Sequence, residues 1–112
     1  MKISERRHDD IAIVEIEGRP GGSPREMVRF VEGVLARGER RILMSLQMEG
    51  FDSGCLGELV VCYLRATNKS ALLKVAALDR RSWAVVGSSD VKNLMDCFTT
   101  EEQALASFAV AG

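Results

Sequence analysis

The residues best suited to chemistry lie in one polar turn, at residues 49–59, between an apolar run and a helical apolar pattern. Asp52 and Ser53 are both residue types that cap helix N-termini, and Gly54 allows close approach of the backbone. A helix N-terminus presents unpaired N–H groups and the positive end of the helix dipole, so it favours a phosphate group or a partner's carboxylate. The turn is therefore the first candidate for a binding site; an ordinary capped strand-to-helix turn is the alternative.

The same turn contains a cysteine that could act as a redox thiol. Cys55 follows Gly54 near the predicted helix start, where the helix dipole favours a thiolate. Alternatively, Cys55 is a small hydrophobic residue buried under the helix, and this is the role that we favour. Cys55, Cys62 and Cys97 lack the close pairing of a zinc or disulfide-exchange motif and suit reduced thiols in a cytoplasm.

Motifs for catalysis and nucleotide binding are absent from the sequence. Neither of the common glycine-rich phosphate-binding patterns occurs. His8 is the only histidine and lies beside two aspartates near the start, so the usual catalytic triads and histidine-rich metal sites have little support, and His8 is expected at the solvated surface. Asp52 and Ser53 consequently have no histidine partner. The sequence predicts no enzyme activity, no metal site and no cofactor.

Length, composition and charge predict one globular domain over residues 1–112 that stays in the cytoplasm. The chain is 46% hydrophobic and 28% charged, with a formal net charge of -1. This balance gives no electrostatic reason to expect nucleic acid or a membrane surface. No apolar run approaches the roughly 18 residues of a membrane span, and the start has no secretory apolar region. We expect a protein partner, and the sequence leaves open a homodimer.

The elements that position the turn are predicted in the order β-β-α-β-α-β-α-(β)-α. Strands are expected at residues 2–8, 11–16, 41–48 and 72–78, with a short edge strand or a turn of helix between 90 and 98. The central helix, residues 53–69, has apolar residues at helical spacing: Leu56, Leu59, Val60, Tyr63 and Leu64. Cap signals place other helix starts at Ser23-Pro24, Asp79 and Thr99-Thr100. The fold class is therefore α/β, a mixed open sheet of about four to five strands with an N-terminal antiparallel hairpin and about four helices.

These features together resemble a known family, the STAS domain of bacterial anti-sigma-factor antagonists. The resemblance rests on Gly18, the strand at residues 42–48, the turn at residues 51–57 and the closing segment at residues 99–105, and it covers nearly the whole chain. It implies a module that is not an enzyme and binds an anti-sigma factor that is also a serine kinase, which frees the sigma factor. Phosphorylation of the module by that kinase switches the binding off.

The family motif Asp-Ser-Ser-Gly-Leu-Gly is only partly present. Asp52, Ser53, Leu56 and Gly57 match it, but Gly54 stands where the phosphorylated serine is expected and Cys55 stands where the family has glycine. After Gly18, the family's Leu-Asp pair is replaced by Pro20 and Gly21. Ser53 remains either a neighbouring phosphoacceptor or, as we favour, the cap of the helix.

Three hypotheses follow, of which the first is favoured. The first is an antagonist-type interaction module that docks through Asp52, Ser53, Gly54, Cys55 and Gly57. The second is a divergent STAS scaffold subunit in a larger regulatory or transport complex, favoured by the apolar character of the central helix. The third is a small-ligand or redox sensor that uses Cys55 or the helix N-terminus.

Overall fold

The computed structural model describes residues 1–21 and 25–110. The strands are β1 (Lys2–His8), β2 (Ile11–Gly18), β3 (Arg41–Met48), β4 (Leu72–Ala77) and β5 (Cys97–Phe98). The helices are α1 (Glu26–Ala36), α2 (Ser53–Asn68), α3 (Arg80–Ser88), α4 (Val91–Leu94) and α5 (Glu101–Val110). The five strands form one sheet in the order β1-β2-β3-β4-β5, with β1 antiparallel to β2 and every other pair parallel. The predicted fold class is confirmed, and the segment left open as helix or strand contains both α4 and β5.

The two faces of the sheet are covered by different helices. Side chains that alternate along β2 and β3, including Val14 and Met44, pack against α1, α2 and α3 in the larger apolar core. The intervening residues, including Ile13 and Leu43, pack against α5. Since the parallel crossovers all step in one direction across the sheet, the crossover helices lie on one face. Of the described helices, α5 alone covers the other face.

Helix α5 is held to its face by polar contacts at both ends as well as by Phe108. Near its start, Glu101 accepts hydrogen bonds from Ser45 at 2.6 Å and from Arg6 at 2.7 and 2.8 Å. Near its end, the Lys74 ammonium donates to the carbonyl and hydroxyl oxygens of Ser107 at 3.2 and 2.9 Å. Lys74 is only 3% exposed, and the Phe108 ring centroid lies 4.9 Å from Nζ. These contacts fix α5 across several strands.

The helix caps agree with most of the sequence signals. Asp79 accepts a hydrogen bond from the Ser82 N–H at 3.2 Å, and Thr100 accepts one from the Gln103 N–H at 3.2 Å. Both predicted caps are confirmed. The predicted cap at Ser23 and the proline at position 24 lie outside the described residues. Helix α1 is described from Glu26, with Arg25 at its N-cap position.

Candidate functional site

The predicted docking turn lies where β3 ends and α2 begins, at the carboxyl edge of the sheet. Asp52 is the N-cap residue, and its Oδ1 accepts a hydrogen bond from the Cys55 N–H at 2.9 Å. This bond to the backbone of Cys55 is the main reason that the pKa of Asp52 lies below its usual value. Ser53 is the first residue of α2, so the prediction that Ser53 caps the helix is wrong. The Asp52 carboxylate, at the N-cap, accepts a hydrogen bond from the N–H of the third helical residue. The Ser53 side chain, one residue later, therefore does not cap the helix.

Four of the five predicted docking residues lie together on the surface. Asp52, Ser53, Gly54 and Gly57 are exposed, whereas Cys55 is 7% exposed and belongs to the core. Within the described part of the chain, no hydrogen bond engages the Ser53 hydroxyl. The turn therefore presents a compact polar surface with Cys55 packed beneath it.

The environment of Cys55 opposes the redox interpretation. Burial raises the pKa of the Cys55 thiol, and the nearby charges of Asp52 and Glu58 act in the same direction. Burial also raises the pKa of Cys62 to about 12 and that of Cys97 to about 11. In all three cases burial favours the protonated thiol over the thiolate, which counts against a redox site.

A second segment, the end of β2 with residues 19–21, lies directly beside the turn. The Glu49 N–H donates to the Gly18 carbonyl at 2.8 Å, and Arg19 forms an ion pair with Glu49 at 3.0 Å. A Cβ atom added at Gly50 would lie 3.8 Å from Cδ of Pro20, so the two segments are in close contact. Between them is an open cleft whose lining residues are Arg19, Pro20, Glu49, Gly50, Asp52 and Arg81.

Glu49 lies within the turn that the sequence indicated, but it was not named as a docking residue, and Arg19 and Arg81 were not connected with this surface. A signal was available for two of them, because β2 and β3 are neighbouring parallel strands and their carboxyl ends meet at one edge. Arg81 enters from the start of α3, which follows β4. A fourth residue, Glu58 of α2, accepts a hydrogen bond from the Val28 N–H of α1 at 3.1 Å. No sequence pattern predicts that contact, since it depends on how the two helices pack.

Across residues 1–21 and 25–110, no three His, Cys, Asp or Glu side chains are grouped as metal ligands. None of the helices in those ranges is long and apolar enough to cross a bilayer.

Comparison with known proteins identifies the architecture. No protein-family model matches the sequence, and no curated protein is significantly similar to it in sequence. The crystal structure of an anti-sigma factor antagonist from Mycobacterium paratuberculosis superposes with a TM-score of 0.73 at 16% identity, covering 95% of this chain and 92% of that chain. The NMR structure of the protein TM1081 superposes with a TM-score of 0.66 at 14% identity, covering 95% of this chain and 87% of that chain. At this level of identity the likeness shows the fold alone, and the chain has the STAS fold of the anti-sigma factor antagonist.

Proposed function

We propose that this chain is a non-catalytic interaction module of the antagonist type, which regulates bacterial transcription by binding an anti-sigma factor with serine-kinase activity. The observation that carries the proposal is the exposed cluster of Asp52, Ser53, Gly54 and Gly57 at the start of α2 in this fold. Asp52 holds the turn in place through its bond to the backbone, so the surface is preformed. Cys55 supports the same surface from the core. Such a surface suits docking by a folded protein in the cytoplasm.

Gly54 determines how such a module would be controlled. It stands where the STAS motif carries its phosphorylated serine, and a glycine has no hydroxyl group to accept phosphate. Docking is therefore constitutive and set by the amount of protein, or it is controlled at the neighbouring Ser53. The Ser53 side chain is exposed, and a phosphate there would add nearly two negative charges to the docking surface.

The experiment is a binding measurement against purified anti-sigma factors with kinase domains encoded in the same genome. Three proteins are compared by calorimetry before and after incubation with the bound kinase and ATP: the wild type, Gly54→Ser and Gly54→Ala. The alanine variant is the matched control, because a Cβ at position 54 would lie 3.3 Å from Asp52 Oδ1 and could itself disturb the cap. We expect ATP to abolish binding of Gly54→Ser. If docking is constitutive, the wild type and Gly54→Ala keep their affinity; if they lose it, mass spectrometry should find phosphate on Ser53.

Two outcomes would contradict the proposal at different levels. If no anti-sigma factor binds the wild type, the antagonist function is wrong. If the wild type binds but ATP leaves binding of Gly54→Ser unchanged, the transferred position of the switch is wrong.

The outer face of α2 supports a second candidate function, a scaffold subunit in a larger assembly. Leu64 is 49% exposed, and Val60 and Val61 on the same helix are only partly buried. A permanent partner that covers this apolar face would need no phosphorylation switch. Sedimentation velocity at high protein concentration tests the idea. If the wild type stays monomeric and sediments as Leu64→Gln does, the scaffold function is not supported.

A further inference from the structure

We infer that Ser82 is a positioning residue for the docking turn between β3 and α2. Its hydroxyl group holds the backbone of Met48, the last residue of β3, and so sets where the turn begins. Where it concerns affinity for a partner, the inference rests on the proposed function. Its structural part can be tested on the isolated protein.

Ser82 is a buried polar residue whose side chain bonds to the backbone of β3. It is the third residue of α3 and is 0% exposed. Its Oγ donates a hydrogen bond to the Met48 carbonyl oxygen at 3.4 Å and accepts one from the Met48 N–H at 3.4 Å. A buried hydroxyl group without a partner is unfavourable. The two contacts therefore join the start of α3 to the end of β3.

Met48 needs these contacts because β3 continues beyond the end of its neighbour β4. The backbone bonds between the two strands stop where the Leu78 N–H donates to the Leu46 carbonyl at 2.8 Å. The Met48 N–H is the next donor of β3 on that side, because the backbone groups of a strand alternate between its two neighbours. Asp79 Oδ1 accepts from it at 3.3 Å, together with Ser82. The start of α3 thus replaces the missing strand at the last residue of β3.

The chain that follows has few backbone bonds of its own. The Glu49 N–H donates to the carbonyl at the end of β2 at 2.8 Å. Within the part of the chain that the structure describes, no backbone–backbone hydrogen bond involves Gly50 or Phe51, and Phe51 is held by its buried side chain. The next residue is Asp52, the N-cap of α2. The position of the docking turn therefore depends on the Phe51 side chain and on the end of β3, which Ser82 holds.

The test separates hydrogen bonding by Ser82 from its contribution to packing and to general stability. Ser82→Ala removes the hydroxyl group, and Ser82→Cys replaces it with a thiol that forms only weak hydrogen bonds. Ser45→Ala is the matched control, because Ser45 is another buried serine, and its hydroxyl group bonds to Glu101 at 2.6 Å on the opposite face of the sheet.

Three quantities are measured for each variant: stability by urea unfolding, the amide chemical shifts of Gly50 and Asp52, and affinity for the anti-sigma factor that the wild type binds. We expect all three variants to lose stability. Both Ser82 variants should also shift the amide signals of Gly50 and Asp52 and weaken binding by about fivefold, the effect of losing one ordinary hydrogen bond. Ser45→Ala should leave these signals and the affinity as in the wild type.

The inference is overturned if Ser82→Ala lowers stability but leaves the signals of Gly50 and Asp52 and the affinity unchanged. It is also overturned if Ser82→Cys matches the wild type, which would assign the effect to packing. Equal weakening of binding by Ser45→Ala would assign it to general stability and overturn the inference as well. Failure of the wild type to bind any anti-sigma factor would instead refute the proposed function, and the two amide signals would still decide whether Ser82 positions the turn.

Discussion

Two aspartates cap helices at the same edge of the sheet, and the structure predicts that replacing them lowers the free energy of unfolding by unequal amounts. Among the described residues, the exposed Asp52 side chain accepts one hydrogen bond, from the Cys55 N–H. Asp79 makes two: Oδ2 accepts from the Ser82 N–H at 3.2 Å, and Oδ1 accepts from the Met48 N–H at 3.3 Å. Strand β4 ends at Ala77, so Asp79 continues the hydrogen bonding of β3 beyond the end of its neighbour. Asp79→Ala should therefore destabilise the protein more than Asp52→Ala.

The loss of stability in Asp79→Ala follows from the two N–H donors that it leaves without their carboxylate acceptor. Loss of a helix N-cap costs about 1 kcal/mol, and a buried N–H left without a partner costs about 1–3 kcal/mol. Met48 and Ser82 are both 0% exposed, which makes rescue by bulk water ineffective. The Ser82 hydroxyl remains 3.4 Å from the Met48 nitrogen as a weaker acceptor. We therefore expect a loss of about 2–3 kcal/mol for Asp79→Ala.

Urea unfolding, monitored by circular dichroism, measures these differences in the free energy of unfolding, provided that the variants have equal m values. Asp79→Asn is the matched control, because its single side-chain oxygen can replace one of the two bonds but not both. The expected order of stability is wild type, then Asp79→Asn, then Asp79→Ala, with Asp52→Ala above Asp79→Ala. If Asp52→Ala is as destabilising as Asp79→Ala, the second bond of Asp79 contributes nothing and the reasoning from buried donors is wrong.

Three further predictions concern α5 and the thiols. Phe108→Ala should cost about 3–5 kcal/mol in urea unfolding, because Phe108 is 1% exposed and anchors α5; a loss below about 1 kcal/mol would show that α5 contributes little packing energy. Burial favours a raised pKa for Glu101, but the bonds from Ser45 and Arg6 outweigh it and hold that pKa below the usual value. This stabilisation is complete above about pH 4.3, the ordinary glutamate pKa, and is lost as pH falls through the lower folded pKa. Urea midpoints of the wild type should consequently fall more steeply in acid than those of Glu101→Gln, and parallel curves would contradict the assignment. Cys55 should react with a thiol reagent far more slowly in the native protein than in urea, and comparable rates would show that its burial is transient.

The strands and their order were predictable because the sequence carries the relevant physics locally. The apolar run at residues 11–16 is short and rich in β-branched residues, and residues 41–48 alternate with a period of two, so both are typical of strands. Alternating strands and helices favour a parallel sheet, and crossovers between parallel strands are nearly always right-handed. The attachment of α5 was not predictable in the same way. Arg6 and Glu101 are separated by 95 residues, and Lys74 lies in a short apolar strand, where its burial depends on Ser107 being nearby.

The position of the turn before α2 was predictable from the sequence, but its contacts were predictable only in part. The cap signal placed the helix start correctly, while the choice between Asp52 and Ser53 depended on backbone geometry. The apolar stripe was assigned partly to the wrong side of α2. Cys55, Leu59, Cys62 and Ala66 face the core, whereas Leu64 is largely exposed. Three of these four core residues, Cys55, Cys62 and Ala66, are small, so α2 can lie close to the sheet. A prediction from residue size alone would place the larger side chains of α2 in the core.

The face of the sheet that α5 covers is separate from the edge that the proposed partner would contact. Glu101, Ser45 and Lys74 fix α5 on one face, away from the carboxyl edge where Asp52 and Gly54 are exposed. Substitutions on the α5 face should therefore change stability without changing affinity. Substitutions at Asp52 should change both, because its carboxylate caps α2 through the Cys55 N–H and is exposed in the docking surface. If stability and affinity changed together in every variant, docking would depend on folding as a whole and not on a preformed edge.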